Sequence, residues 1–270
     1  MTAPTADAAA PTRHPSFAHT VRAEWIKLRS LRSTWYTLAG LVVVGLGITW
    51  LATGSAAEVY AGATADGEAW DPTNLSLTSY LIAQLIIGVL GILVVTSEYA
   101  TGLIQTTLAA TPNRSRLLAG KLVVSTAVAV VAGQLLMFAI FFLGQLVIGG
   151  QDVPNASIGD PGVLSAVVGG GLYLAAIALL AVGLGTILRA TAGALATLVG
   201  IIFLVPAMAA LFPSWLQGLV DFWPSQGAAA VMATVPVPDQ PHPWLNLGGM
   251  FLGVLAVLVG AFVVFRRRDV

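Results

Sequence analysis

Six uninterrupted apolar stretches dominate this sequence. Each is about as long as a helix needs to be to cross the roughly 30 Å hydrocarbon core of a bilayer, and none contains Asp, Glu, Lys, Arg or His. They comprise residues 36–53, 77–97, 122–148, 163–188, 193–212 and 245–265. Only 9% of the 270 residues are charged and 57% are hydrophobic, whereas soluble domains carry about 25% charged residues. A soluble globular fold is therefore excluded, and the sequence predicts an all-α polytopic membrane protein with six transmembrane helices.

The positions of the charges predict how these spans are oriented. All 12 Lys and Arg residues lie in the N-terminal segment, between the second and third spans, between the fourth and fifth spans, or at the C-terminus. The other three connections, 54–76, 149–162 and 213–244, contain acidic residues but neither Lys nor Arg. The positive-inside rule therefore predicts that both termini are cytoplasmic. The expected location is the cell (plasma) membrane, as a multi-pass protein. The formal net charge of zero argues against nucleic acid as a partner.

The segment before the first span divides into two parts. Residues 1–15, rich in Ala, Pro and Thr, are predicted to form a disordered cytoplasmic tail. Residues 16–34 are predicted to form an amphipathic helix in the headgroup region, with cations such as Arg29 facing anionic lipid. Its apolar side chains recur at helical spacing: Phe17, Val21, Trp25, Leu28 and Leu31. Glu24 interrupts this apolar face. The alternative is a basic flank that only orients the first span.

The connection between the second and third spans begins with a weakly polar segment, residues 98–112. It carries no charge after Glu98, and Pro112-Asn113 marks a turn before a basic cluster begins. A short helix that ends before Pro112 would lie against the membrane and present small and hydroxyl side chains to the cytoplasm. We interpret this segment as a docking surface, with an ordinary loop as the alternative.

The connection between the fifth and sixth spans is too apolar for an aqueous loop. Residues 213–243 include Trp215, Phe222 and Trp223 but are interrupted by six prolines. This pattern predicts short re-entrant helices that dip into the outer interface, with tryptophans at the level of the headgroups.

Several kinds of chemistry are excluded by the residues that the spans lack. No His or carboxylate lies within a span, so an intramembrane hydrolytic site cannot be assembled. The chain has no cysteine, which excludes thiolate metal sites, and no metal site is predicted. Ion-coupled transporters place ionisable groups at mid-membrane depth, and these spans have none, so uphill transport would need energy from elsewhere.

The remaining polar side chains of interest are three glutamines within the spans, Gln84, Gln134 and Gln145. They are candidates for lining a transport pathway, although hydrogen bonds between helices are the more common role for such residues. The chain has no nucleotide-binding loop of its own: Gly120-Lys121 is followed by Leu122, where a P-loop requires Ser or Thr.

Several segments together resemble the membrane subunit of type-2 ATP-binding-cassette (ABC-2) transporters, of the actinobacterial permease kind. They occur in the order found in that family and cover nearly the whole chain: residues 24–35 before the first span, residues 97–108 after the second, residues 188–194, the Pro224-Ser-Gln-Gly227 region, and the terminal Arg267-Arg268-Asp269.

This resemblance implies an elbow helix near residues 17–32 and a coupling helix near residues 99–110 that docks on a separate ATPase subunit. Glu98, Tyr99, Gly102, Gln105 and Thr106 fall on the coupling segment, and Gln105 stands where the family often has a basic residue. The resemblance also implies a second permease, either another copy or a paralogue, and ATP with Mg²⁺ bound by the partner ATPase rather than by this chain. The expected function is thus that of a non-enzymatic permease subunit, most simply of an exporter. The alternative is a membrane scaffold or sensor without transport activity.

Overall fold

The computed structural model of the protein describes residues 16–62, 70–213, 220, 222–235 and 243–268. Every regular element within these ranges is helical, as the composition predicted. The main helices are α1 (Phe17–Ser30), α2 (Arg32–Gly62), α3 (Pro72–Leu77), α4 (Tyr80–Ala100), α5 (Leu103–Ala110), α6 (Arg114–Gly149), α7 (Val163–Leu188), α8 (Thr191–Ala207), α9 (Pro224–Met232) and α10 (Pro243–Arg267). The predicted disordered tail, residues 1–15, lies outside the described residues.

Five of the six predicted spans correspond to helical segments long and apolar enough to cross a membrane: α2, α3 together with α4, α6, α7 and α10. The helices extend past the predicted span ends because polar residues continue them. Asn113, for example, accepts a hydrogen bond from the Arg116 N–H and caps α6, which begins at Arg114, well before the apolar stretch that starts at residue 122. The outer surfaces of α2, α6 and α10 expose large apolar side chains, such as Leu51, Leu146 and Leu252. Such a surface is suited to lipid rather than water.

The predicted fifth span, residues 193–212, differs from the other five. Its helix, α8, is only 17 residues long and contains a π-helical turn at Gly200–Leu204. Pro206 follows within the same helix, and because proline has no N–H it cannot bond to the carbonyl four residues before it. A 3₁₀ turn at Ala209–Leu211 then ends the segment. This helix is shorter than the roughly 20 residues that a span usually needs.

Helix α7 is the centre of the bundle. Its residues are buried along nearly the whole length, and α4, α6, α9 and α10 pack around it. Close approach of the backbones depends on glycine at specific points. A Cβ atom on Gly91 of α4 would lie 2.5 Å from the carbonyl oxygen of Ala178 on α7, so any larger residue at position 91 would force these two helices apart.

The bundle has two chemically different ends. Helix α1, helix α5, the turn at Arg189 and the C-terminal Arg268 meet at one end, which we call the basic end; Arg268 O accepts hydrogen bonds from Arg114 and Arg189 there. At the opposite end, the acidic end, Asp71 binds the segment that follows α9 through the N–H groups of Thr234 and Val235. The charge asymmetry seen in the sequence is thus an asymmetry of the folded bundle.

The segment between α8 and α10 contains one described helix, α9, which packs on α7 and α10. Trp223, just before α9, donates from its indole Nε1 to the carbonyl of Ile201, at 2.5 Å, and so ties α9 to the π-helical turn of α8. Residues 214–219, 221 and 236–242, on which part of the predicted re-entrant region falls, lie outside the described residues.

Candidate functional site

Four charged side chains form a buried cluster at the basic end, which we call the ion cluster. It comprises Glu24 and Lys27 of α1, Glu98 in the last turn of α4, and Lys121 of α6. Lys121 Nζ lies 2.9 Å from Glu24 Oε2 and 2.5 Å from Glu98 Oε1. Lys27 Nζ lies 3.0 Å from Glu24 Oε1 and 2.5 Å from Glu98 Oε1. Each lysine therefore bridges both carboxylates, and three helices are joined by two positive and two negative charges.

The inner face of α1 positions its part of the ion cluster. Thr20, Glu24 and Leu28 are buried, and because they are spaced four residues apart they lie on one side of the helix. This side packs on α6, where Gly120 allows close contact: a Cβ atom at position 120 would lie 2.9 Å from Thr20 Cγ2. This close approach of α1 to α6 brings the carboxylate of Glu24 to Lys121.

Three of the four charged side chains of the ion cluster are buried, so each charge depends on its partners for compensation. The side chains of Lys121, Glu98 and Glu24 are only 1%, 3% and 6% exposed, whereas Lys27 is 34% exposed. Removing one partner from such a group would leave a buried charge uncompensated, which is strongly unfavourable. For Lys27, burial lowers the pKa, but hydrogen bonding to Glu98 and attraction to Glu24 and Glu98 outweigh burial and raise the pKa above its usual value.

A cavity of about 120 Å³ adjoins the ion cluster between α1, α2, α4 and α6. Its lining includes Ser97, Thr34 and Thr37 in addition to the four charged residues. Glu98 Oε2 is buried and has no hydrogen-bond partner within the described residues, while Glu98 Oε1 serves both lysines. The last turn of α4 is thus attached to α1 and α6 through one carboxylate oxygen beside open space.

Helix α5 follows directly on the ion cluster. Between α4 and α5, Gly102 has φ +73°, a left-handed conformation that glycine adopts without steric cost. On α5, Ile104 is buried against Leu117 and Leu118 of α6 and Phe265 of α10. The opposite face is open. Leu103, Gln105, Thr106, Ala109 and Ala110 are exposed. Ile104, together with the partly buried Leu108 one turn later, therefore anchors a helix whose other face is free at the basic end.

Tyr99, one residue after Glu98, connects the same region to the turn between α7 and α8. The guanidinium carbon of Arg189 lies 5.2 Å from the centre of the Tyr99 ring, which is a cation–π distance. Arg189 has φ +56° and ends α7, and it also donates to Arg268 O at 3.2 Å. The end of α4 is therefore linked through Tyr99 to Arg189, and through Arg189 to Arg268 after α10.

The three glutamines within the spans each make a hydrogen bond to another part of the bundle. Gln84 Oε1 accepts from the Tyr173 hydroxyl of α7. Gln134 Nε2 donates to Val168 O, also of α7, at 2.9 Å. Gln145 bonds to Pro72 O and Ser76 Oγ, both at 2.9 Å, and accepts from the Ala156 N–H. In this conformation they bridge segments of the fold.

Comparison with known protein families finds a match. The model of the ABC-2 family transporter proteins matches residues 20–207, more than half of the chain. The chain belongs to the ABC-2 transporter family. The match begins within α1 and ends with α8, so it includes all four residues of the ion cluster and the whole of α5. A search of the curated proteins finds no match.

This family membership and the apolar helices together fit a transporter permease and a multi-pass membrane protein. The structure places the predicted coupling residues on two sides of one bend. Glu98 and Tyr99 close α4, with Glu98 directed into the ion cluster, whereas Gly102, Gln105 and Thr106 lie at the bend or on the exposed face of α5. Their role in coupling stays a prediction.

The predicted interface residues of α1 divide between two environments. Phe17, Trp25 and Arg29 are exposed and Val21 is half-buried, but Leu28 is buried against the bundle. Glu24, which interrupts the apolar face in the sequence, points to α6 instead of lipid. The helix itself spans Phe17–Ser30, and α2 begins at Arg32 after a break at Leu31.

Sequence analysis missed the contributions of Glu24, Lys27 and Lys121. One signal was present. In the basic segments predicted to be cytoplasmic, Glu24 and Glu98 are, apart from Asp269 near the C-terminus, the acids closest to a span. Two acids within a strongly basic region are candidates for ion pairs, and Lys27 is only three residues from Glu24. Lys121, however, lies 97 residues from Glu24 and 23 from Glu98, and only the packing of α1 on α6 identifies it as their shared partner.

Proposed function

We propose that this chain is the permease subunit of an ABC exporter of the plasma membrane and works with a separate ATPase subunit that binds ATP and Mg²⁺. The observation that carries the proposal is the geometry of α5: an exposed helix at the basic end, anchored by Ile104 and joined through Gly102 to the turn that holds Glu98 in the ion cluster. A protein that pushes on α5 would move Glu98, and with it α1 and α6.

The proposed topology has six crossings and cytoplasmic termini. Helix α7 ends at Arg189 at the basic end, while Thr234, after α9, bonds to Asp71 at the acidic end. The chain between these residues must therefore pass from one end to the other, and α8 lies along it: Thr191 bonds to Thr96, near the basic end of α4. A 17-residue helix rises about 26 Å, so α8 and the turns after it supply most of a crossing despite their irregular backbone.

The proposed mechanism uses rigid connections and no chemistry of the chain's own. ATP binding closes the partner ATPases, their surfaces move α5, and the ion cluster passes this movement to α1 and α6, which changes the packing of the spans between inward-open and outward-open states. A pathway between two permeases, either two copies or a pair of paralogues, would form where the apolar outer helices meet. Gln84, Gln134 and Gln145 are proposed to contact the pathway in another state of the cycle.

Co-purification tests the proposal. The tagged chain is co-expressed with the ATPase encoded beside its gene, extracted in mild detergent and assayed for ATPase retention and turnover. We expect a stable complex. We expect Leu103→Asp, on the exposed face of α5, to lose the ATPase, because a charge would enter the contact. Ala23→Asp, an exposed site on α1, is the matched control and should retain the ATPase.

Two further variants separate docking from coupling. Glu98→Gln should retain the ATPase but alter its turnover, because docking on α5 is intact while the ion cluster is weakened. Gly102→Val should impair turnover as well, since φ +73° disfavours a β-branched residue. If no ATPase co-purifies, or if Leu103→Asp and Ala23→Asp retain it equally, α5 is not a docking helix, and a scaffold or sensor role becomes the better interpretation.

A further inference from the structure

An apolar groove of about 390 Å³ opens on the outside of the bundle, beneath α1. Helices α2 and α6 form its walls, with Leu38 and Val42 on one side and Val131 and Leu135 on the other. From Trp35 to Val42, α2 advances about 10 Å, so the groove runs from the basic end into the part of the bundle that the exposed apolar side chains mark for lipid. Its apolar lining suits part of an acyl chain.

Two tryptophans and one arginine surround the end of the groove nearest α1. Trp25 and Trp35 line it and are 44% and 58% exposed. The Trp35 indole Nε1 donates to Arg29 O at 2.9 Å, which fixes the angle between α1 and α2 at this point. Exposed tryptophans beside apolar surface are typical of the level of lipid headgroups. Arg29 therefore lies where a headgroup phosphate would lie.

The lining of the groove includes one charged side chain, Arg29. Arg22, Arg29 and Arg32 are exposed, and none of them forms an ion pair within the described residues. The acids nearest in the fold, Glu24 and Glu98, are buried and already bonded to lysines. Arg22 and Arg29 are seven residues apart, so they project from the same side of α1. A ligand with net negative charge is favoured here over a zwitterionic one.

We propose that this groove is a binding site for an anionic phospholipid. One acyl chain lies between α2 and α6 along Val42 and Leu135, and the phosphate contacts the guanidinium of Arg29 with Trp25 and Trp35 on either side. A zwitterionic lipid fits the same groove, but its own cationic group offsets the attraction of the arginines. The bound lipid fills the space between α1 and the spans, so it supports the position of α1 and with it the ion cluster.

Native mass spectrometry of the purified chain tests this site without any ATPase, so its outcome is independent of the proposed transport function. Delipidated protein is titrated with phosphatidylglycerol or phosphatidylcholine of the same acyl chains. We expect one phosphatidylglycerol to be retained about fivefold more tightly, since a basic residue near the membrane surface contributes a factor of this order. Arg29→Gln should remove the preference. Arg267→Gln, an exposed basic residue on α10, should keep it.

A second pair of variants tests the groove rather than the charge. Ala127 lines the groove on α6 and is exposed; Ala127→Phe fills the space and should reduce retention of both lipids. Ala139→Phe, at an exposed site of the same helix outside the groove lining, should not. Equal retention of the two lipids by the unmodified chain, or equal effects within either pair of variants, would overturn the proposal.

Discussion

Lys121 Nζ and Glu24 Oε2 lie 2.9 Å apart although 97 residues separate them in the chain. Their contact joins a helix that precedes all the spans to the helix that follows the coupling segment. Since Lys121 also contacts Glu98, the pair places the end of α4 between α1 and α6. The basic end is therefore one connected unit.

The first prediction concerns Lys121. Lys121→Met should lower the stability of the protein by about 3–5 kcal/mol, because it leaves two buried carboxylates with a single lysine. The measurement is the apparent melting temperature in mild detergent. Lys27→Met is the matched control within the same cluster, and its effect should be smaller because Lys27 is 34% exposed. The double variant Glu24→Gln/Lys121→Met should recover part of the loss. Equal melting of Lys121→Met and the unmodified chain would contradict the buried pairing.

The second prediction concerns the contact of α4 with α7. Gly91→Ala should destabilise the bundle by about 1–3 kcal/mol, because the added methyl group meets the Ala178 carbonyl oxygen and the helices must separate. Gly47→Ala on α2 is the control, since a Cβ atom there meets nothing within 4 Å. In a thermal unfolding measurement, that variant should be as stable as the unmodified chain or slightly more stable. A similar response of the two variants would show that α4 and α7 are not in close contact at this point.

The third prediction concerns the buried hydrogen bond between Tyr173 and Gln84. Tyr173→Phe leaves Gln84 Oε1 without this donor in the core, which should cost about 1–3 kcal/mol. Tyr80 stacks edge-on against Tyr173, and its hydroxyl has no hydrogen bond within the described residues, so Tyr80→Phe should be nearly neutral in the same melting assay. Equal losses of stability in the two variants would mean that removal of any hydroxyl, and not loss of this hydrogen bond, causes the destabilisation.

The fourth prediction concerns Asp71 at the acidic end. Burial raises its pKa, but hydrogen bonds from Asn74, Thr234 and Val235 outweigh burial and hold the pKa below the usual 3.8. A carboxyl whose pKa is lower in the folded state stabilises the protein above its unfolded pKa, and this contribution is lost as the pH falls through the folded pKa. Asp71→Asn should therefore melt at a lower temperature at pH 7.

The pH series supplies the control for this prediction. The difference in melting temperature between the unmodified chain and Asp71→Asn should be constant from pH 7 to about pH 5 and should narrow below about pH 4. Asp152→Asn, at an exposed acid of the same end, should match the unmodified chain across the series. A gap for Asp71→Asn that stays constant to pH 3 would contradict a role for the ionised carboxylate.

Several features of the fold could be predicted because they depend on patterns along the chain. Hydropathy located five of the helical segments that are long and apolar enough to cross a membrane, although α2 continues to Gly62 and α6 begins at Arg114, beyond the predicted limits of 53 and 122. The absence of Lys and Arg from three connections separated the two ends of the bundle. A helix that ends before Pro112 also follows from local sequence. Such features are local because a membrane demands continuous apolar helices and because glycine and proline act on their own backbone.

Only the tertiary structure determines which distant residues contact each other. In the sequence, Glu24 interrupts an apolar face. In the fold the residue is buried, with 5% of its surface exposed, because α1 turns that side toward Lys121. Leu28, predicted to face lipid, packs inward beside it. Hydrogen bonds between helices were expected for Gln84 and Gln145, but no pattern along the chain indicates their partners, Tyr173 and Ser76, which are 89 and 69 residues away. The sequence by itself determined where the chain crosses and which end is basic, since transfer of each side chain to lipid is a property of that residue. Pairing of buried charges depends on how helices rotate about their axes and how closely glycines let them approach, and only the packed bundle sets both.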